Sequence, residues 1–209
     1  MTTPILRQLD IPNSLTLTGL MLSLFSVIFA IQQNFYAALI CLIYSGIVDM
    51  FDGVVARKIQ RTELQAEVGK NLDSLVDICS FGFAPAIFAY CYGLRDALSI
   101  AVLMVYVAAN VLRLAYFNST GLASEGNNEY FTGLPVTYAA LFIPLSFLVS
   151  FFVPVATMKL VLAGMYLILA IAMVANFQMK KLKGIWYGIF SLGALSMTIV
   201  YAWAIIGIK

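Results

Sequence analysis

Histidine is absent from the whole chain. That removes Ser-His-Asp and Cys-His nucleophilic catalysis, histidine phosphotransfer and any histidine-ligated zinc site. Acid–base chemistry is left to carboxylates, Lys, Tyr or Cys. Charge is scarce as well. Only 11% of the 209 residues are Asp, Glu, Lys or Arg, against about a quarter in a soluble globular domain. The net charge is +2, and without a basic tract no nucleic-acid partner is expected. The three cysteines, Cys41, Cys79 and Cys91, fall inside apolar runs without metal-ligand spacing, and they read as small buried residues. There is no internal repeat, and no matched pair of broken helices of the kind that marks many transporters.

Apolar length is what the chain does have. Apolar residues make up 62% of it. A bilayer core is about 30 Å thick and takes roughly 20 apolar helical residues to cross. In hydrocarbon every backbone polar group must be satisfied within the chain, which leaves helices or closed barrels. The runs are continuous rather than alternating, so the expected class is all-α: a polytopic membrane bundle forming one domain over 1–209. Seven spans are expected, at about 15–33, 36–57, 69–92, 96–118, 134–153, 157–177 and 185–207. Residues 1–11 form a short interfacial segment in which Ile5, Leu6 and Leu9 make an apolar stripe. Pro12 opens the first helix, with Asn13 or Ser14 as its cap. That first run is not expected to be a signal peptide, because no small-residue cleavage site follows it.

Four aspartates, Asp49, Asp52, Asp73 and Asp77, lie within or at the ends of two successive apolar runs. Ionisable residues in spans are costly and functional by default. At about 100° per residue, Asp49, Asp52, Gly53 and Ala56 share one helical face. Gly69, Asp73 and Asp77 share a face of the next helix, which is antiparallel and joined by a short link. Four carboxylates then converge, and like charges that close cannot all ionise unaided. Divalent cations resolve the conflict, and oxygen-only ligands suit Mg²⁺ or Mn²⁺. Two such ions would serve phosphoryl or diphosphate chemistry. Gly53, Ala56 and Gly69 border the carboxylates; they allow close helix packing and leave room for a flat ligand group. Arg57 ends the same face and can reach a phosphate. A divalent-cation transporter is the other class that uses intramembrane aspartates, but these four cluster at one end of two helices with nothing comparable at the other face.

The run Asp49-Met-Phe-Asp52-Gly53-Val-Val-Ala56-Arg57, followed by Gly69-Lys-Asn-Leu-Asp73-Ser-Leu-Val-Asp77, resembles the signature of the CDP-alcohol phosphatidyltransferases: Asp-x2-Asp-Gly-x2-Ala-Arg, a spacer, then Gly-x3-Asp-x3-Asp. The spacer here, Lys58 to Val68, is three residues longer than the family's usual eight. Ile11-Pro12-Asn13-Ser-Leu-Thr16 is similar to the start of the family's first helix. The segments Leu72 to Pro85, Leu112-Arg113-Leu114-Ala115 with Phe117-Asn118, and Phe131-Thr-Gly133-Leu134-Pro135 resemble the phosphatidylserine synthase branch; Tyr116 departs from it, since that branch often has a second arginine there.

The resemblance implies a membrane enzyme of phospholipid biosynthesis that transfers the phosphatidyl group from CDP-diacylglycerol to an alcohol, here L-serine, and releases CMP. It implies two divalent metals on Asp49, Asp52, Asp73 and Asp77, with Asp77 also the general base. CDP-lipid contacts fall to Asn13, Thr16, Gly53, Ala56, Arg57 and Gly69, and acceptor or phosphate contacts to Arg113 and Asn110. A homodimer in a bacterial or archaeal cell membrane is implied as well. Inositol phosphate or glycerol phosphate is the alternative acceptor, but a dianion would want more spare cations than Arg113, Arg61 and Lys70.

With the N-terminus in the cytoplasm and the chain alternating, Arg7, Arg57, Lys58, Arg61, Lys70, Arg113, Lys180, Lys181 and Lys183 lie on the cytoplasmic side. Arg95, Lys159 and Lys209 lie outside. This asymmetry follows the positive-inside rule and puts the carboxylate cluster at the cytoplasmic face. Cysteines introduced in the Lys58–Glu67 link and by Lys181→Cys are therefore expected to react with an impermeant maleimide only from the cytoplasmic side. Labelling of Lys181→Cys from outside would reveal a miscounted span.

Overall fold

The computed structural model describes residues 4–125, 128–182 and 184–207. Lys183 and Lys209, counted above for orientation, lie outside the described residues. Six helical stretches are long and apolar enough to cross a bilayer: α1 (Ile11–Ile31), α2 (Phe35–Ala56), the continuous rod Glu63–Tyr92, α5 (Ala97–Thr120), α7 (Val155–Val174) and α8 (Ile185–Gly207). The chain is an integral membrane protein of all-α architecture. The rod consists of α3 (Glu63–Asp77), a π-helical turn (Ile78–Phe83) and α4 (Ala84–Tyr92).

The fifth expected span is a shorter apolar helix, Val136–Phe151. Its α-helical centre is α6 (Ala139–Phe147), with 3-10 turns at both ends. At 1.5 Å per residue it is only about 24 Å long. It nevertheless runs the depth of the bundle. Thr137 lines the cavity that holds the aspartates, while Phe151 stacks on Tyr36, in the first turn of α2, at the opposite end (centroids 5.7 Å). Much of the spacer is helical. α3 starts at Glu63, six residues before Gly69, and Thr62 and Gln65 close its first turn as a capping box.

Close packing of α1 on α2 uses small residues. Gly19, Ser23, Ser26 and Ala30 are buried along one stripe of α1, and Ser45 Oγ donates to Gly19 O at 2.9 Å. Without a solvent-driven hydrophobic effect between spans, such close backbone approach supplies the attraction. Buried side chains donate to carbonyls where the helices are interrupted; Phe81 O, four residues before Pro85, is the one that a proline's missing N–H leaves without its α-helical donor. Tyr166 donates to Pro85 O and Tyr201 to Pro144 O, each at 2.5 Å. The Tyr106 hydroxyl and Asn110 Nδ2 both donate to Phe81 O. Outside the spans, Asp96 caps α5; the Ser99 hydroxyl and amide hold its carboxyl below the ordinary range.

Three features differ from expectation. The cap of α1 is Asp10, whose Oδ1 accepts from Asn13 N–H at 2.9 Å, and Pro12 sits inside the first turn. Asn13 is thereby free to point elsewhere. The cysteines are not buried: Cys79 is exposed and Cys41 and Cys91 are intermediate. The outer surface of a bundle meets lipid, where a thiol costs little. A small antiparallel sheet also appears at the end of the bundle near the aspartates, in the order β1 (Ala123–Glu125), β2 (Asn128–Thr132), β3 (Gln178–Lys180). It joins the end of α5 to the end of α7. The glycine that follows β2, Gly133, takes φ +69° where its N–H reaches Phe177 O. That left-handed conformation favours glycine.

A Cβ added at Gly46 of α2 would lie 2.7 Å from the Ala140 Cβ, whereas at Gly193 of α8 nothing lies within 4 Å. Overpacking of this kind costs about 1–3 kcal/mol. Gly46→Val is expected to lower the melting temperature of the detergent-solubilised protein by several degrees, and Gly193→Ala to leave it unchanged. Equal melting curves would mean that α2 and α6 are not held this closely.

Candidate active site

Helix geometry delivers the carboxylates as the spacing predicts. Oxygens of Asp49, Asp52 and Asp73 all lie within 4.8 Å of one another. Asp77, one turn beyond Asp73, faces Asp49 within interaction distance. Asp52 and Asp77 are buried. Thr16 Oγ1 donates to Asp52 Oδ2 at 2.7 Å, which orients that carboxylate from the neighbouring helix. Asp77 Oδ1 is buried and has no hydrogen-bond partner among the described residues. An orphaned carboxylate oxygen beside three more carboxylates is a set that fits hard divalent cations: every donor is oxygen, and no nitrogen or sulfur competes. Asp49, Asp52, Asp73 and Asp77 are the residues that would hold them.

The carboxylates line a basin of about 400 Å³. Its walls include Asn13, Thr16, Gly53, Ala56, Gly69, Lys70, Arg113, Phe117, Asn118, Phe131, Thr137 and Lys181. One rim is a knot around Arg61. Its Nε sits 2.6 Å from Asp10 Oδ2, and its Nη2 donates to Asn13 Oδ1 at 2.6 Å and to Gln65 O at 2.8 Å. Asn13 Nδ2 in turn donates to Gln8 O and Gln65 O. The knot ties the first turn of α1 to the first turn of α3. It also accounts for Gly69, where a Cβ would sit 2.5 Å from both Arg61 Nη2 and Asn13 Oδ1. Gly53 is different: apart from Arg57 Nη1 at 3.8 Å, nothing lies within 4 Å of a Cβ there. Its open side faces the cavity, and Arg57 folds back beside it.

Arg113 is buried, not reaching for the interface. Its Nε and Nη2 have no hydrogen-bond partner among the described residues. Its guanidinium lies between Phe117 and Phe131, with centroids at 5.0 and 5.6 Å, and close enough to Asp77 to feel its charge. Two unpartnered donors on a buried cation at a cavity wall have the geometry that pairs with a carboxylate or phosphate. Asn110 does not line the basin; it is wholly buried, and its amide holds Phe81 O. It acts on the π turn that follows Asp77. Tyr116, the departure noted above, is half exposed and does not line the basin either.

Asp10 was not singled out from sequence, and Phe131 and Lys181 entered there only through a branch-like segment and the charge asymmetry, not as site residues. Asp10 carried a legible signal, an Asp placed before a helix with Pro in its first turn. No period could place Phe131 or Lys181 at the site, because β2 and β3 are only five and three residues long.

A family model described as CDP-alcohol phosphatidyltransferase matches residues 9–207. The chain is similar to an archaetidylserine synthase of Methanothermobacter thermautotrophicus, at 30% identity over 83% of this chain and 71% of that one. It is also similar to a CDP-diacylglycerol–serine O-phosphatidyltransferase of Helicobacter pylori, at 30% identity over 91% of this chain and 81% of the other. A Bacillus subtilis protein of that same name is 29% identical over 63% of this chain and 71% of its own length.

Removing a ligand carboxylate should cost at least what removing a supporting group costs, about 10-fold or more in metal affinity. Asp52→Asn and Asp73→Asn are expected to weaken Mn²⁺ binding, read by electron paramagnetic resonance, to that extent. The melting temperature of the metal-free protein should stay near wild type. Unchanged Mn²⁺ affinity in both variants would remove the metal centre.

Proposed function

The chain belongs to the CDP-alcohol phosphatidyltransferase family, and on that premise we propose that it transfers the phosphatidyl group of CDP-diacylglycerol to L-serine and releases CMP. Carrying the reading is buried Arg113, with two unpaired guanidinium nitrogens at the wall of the carboxylate basin. A free amino acid presents a carboxylate that such a fork binds at two points, and a neutral polyol would leave it unpaired. The relatives' names agree on serine and differ on the lipid.

In this reading the four aspartates would hold Mg²⁺ or Mn²⁺, which would supply positive charge for the diphosphate and the leaving CMP. Gly53 and Ala56 leave space for the cytidine, and Gly69 makes space for the knot that closes that end. Arg57 contacts phosphate beside Gly53. Asn13 and Thr16 act through what they hold, Asn13 through Arg61 and Thr16 through Asp52. Arg113 holds the serine carboxylate so that the hydroxyl faces Asp77. Asp77 accepts the hydroxyl proton as the serine oxygen bonds to the phosphorus carrying the diacylglycerol, and the bond from that phosphorus to the CMP oxygen breaks. A cytoplasmic basin, a bacterial or archaeal cell membrane and a homodimer belong to the same proposal. The charge asymmetry supports the first and the family resemblance the other two.

Purified protein with CDP-diacylglycerol and a divalent metal is expected to release CMP on addition of serine, and to stop when a chelator is added. Asp77→Asn should lower kcat about 10²–10⁴-fold. Arg113→Lys should raise the KM for serine strongly and that for CDP-diacylglycerol little, because lysine cannot reproduce the fork. Release driven by inositol phosphate or glycerol phosphate, and not by serine, would overturn the acceptor while leaving the chemistry in place.

A further inference from the structure

Beside the polar basin runs a second cavity, an apolar groove of about 280 Å³ between α2, the Val136–Phe151 helix and α8. Ile43, Ile47, Leu141, Phe190 and Met197 are among its walls. The two cavities share Asp49, Gly53, Phe131, Pro135, Thr137 and Lys181, so they are continuous beside the carboxylates. Among the described residues Lys181 is the one cation that lines both.

The small sheet decides where that lysine sits. Lys181 N–H donates to Glu129 O at 2.9 Å, and Lys181 Nζ lies 3.3 Å from Glu129 Oε2. One residue thus anchors both the main chain and the side chain of the lysine. Glu129 and Phe131 are two apart on β2 and share a face; Phe131 covers Arg113 while Glu129 holds Lys181. A partly exposed ion pair adds little to stability, so stability alone does not account for a cation parked at this junction.

A lipid that carries a phosphate has the same two halves as the junction, an apolar chain and an anion at its end. We propose that Lys181 grips the phosphate of the lipid substrate at the mouth of the groove, with an acyl chain lying along the wall made by α2 and α8. Glu129 is the positioning residue that aims the lysine. A compact ammonium is a good point-charge partner for phosphate, while the planar carboxylate of the acceptor is left to the guanidinium of Arg113. The lipid and the acceptor then have separate cations. This assignment rests on the function proposed above only for its kinetic test.

Two measurements decide it. In CMP-release kinetics, Lys181→Gln should raise the KM for CDP-diacylglycerol about tenfold or more, as expected for loss of a hydrogen bond to a charged group, and leave the serine KM nearly unchanged. Lys181→Arg should recover most of the loss, and Glu129→Gln should give a smaller rise on the lipid alone. A rise confined to serine would make Lys181 an acceptor contact, and no rise in either would reduce the pair to a tie between β2 and β3; both overturn the proposal. The second measurement needs no turnover: binding of phosphatidic acid against diacylglycerol in detergent micelles. Wild type should prefer the phosphate-bearing lipid and Lys181→Gln should lose that preference; a variant that keeps it refutes the proposal. Lys181→Met, which keeps the aliphatic stem, gives the same contrast if the glutamine variant does not fold. If serine fails to drive CMP release but the lipid preference and its loss stand, the acceptor assignment falls and this one holds.

Discussion

Four carboxylates are held against one another inside a membrane protein, and most of the structure around them follows from that constraint. Mutual repulsion and poor solvation both oppose the arrangement. The protein answers by fixing each aspartate to a rigid element. Asp49 and Asp52 sit one turn apart on α2, and Asp73 and Asp77 one turn apart on α3. Thr16 reaches from α1 to Asp52, and the Arg61 knot binds the start of α3 to the start of α1. A basin whose carboxylates carry unpaired oxygen, with a buried arginine on its wall, is poised for cations on one side and an anion on the other.

The same need to satisfy polar groups inside hydrocarbon shapes the rest of the bundle. Where the rod and the Val136–Phe151 helix depart from regular α-helix, a side chain from another helix donates to a carbonyl at the interruption. Tyr166 meets Pro85, Tyr201 meets Pro144, and Tyr106 with Asn110 meets Phe81. The last pair has the most direct consequence for the site, because the turn it supports begins immediately after Asp77. π turns occur often at functional positions, and here the altered register decides how the rod continues beyond the last carboxylate.

The longer link between the two halves of the aspartate motif leaves the carboxylates in register. The added residues could have shifted α3 along α2 and spoiled the meeting of the carboxylates. Instead α3 starts at Glu63 with its own capping box, and the portion from Gly69 to Asp77 faces Asp49 and Asp52. Arg61, in the link, is the clasp that holds the start of α3 in place.

The pattern along the chain was enough to determine the class, the helices and the carboxylate cluster. A 20-residue apolar run admits few structures in a bilayer, and aspartates three or four residues apart must share a helical face. Local spacing settles these points, so they are visible before folding. What only the tertiary structure decided is which side chains from distant segments arrive at that face. Asn13 turned out to brace Arg61 rather than cap its own helix, because Asp10 took the cap. Asn110 serves the π turn rather than the basin wall. Phe131 on β2 and Lys181 just past β3 reach the basin through a pairing of short strands that joins residues about 50 positions apart. Such meetings depend on how the helix ends are gathered at one face of the membrane, and no periodicity in the chain encodes that.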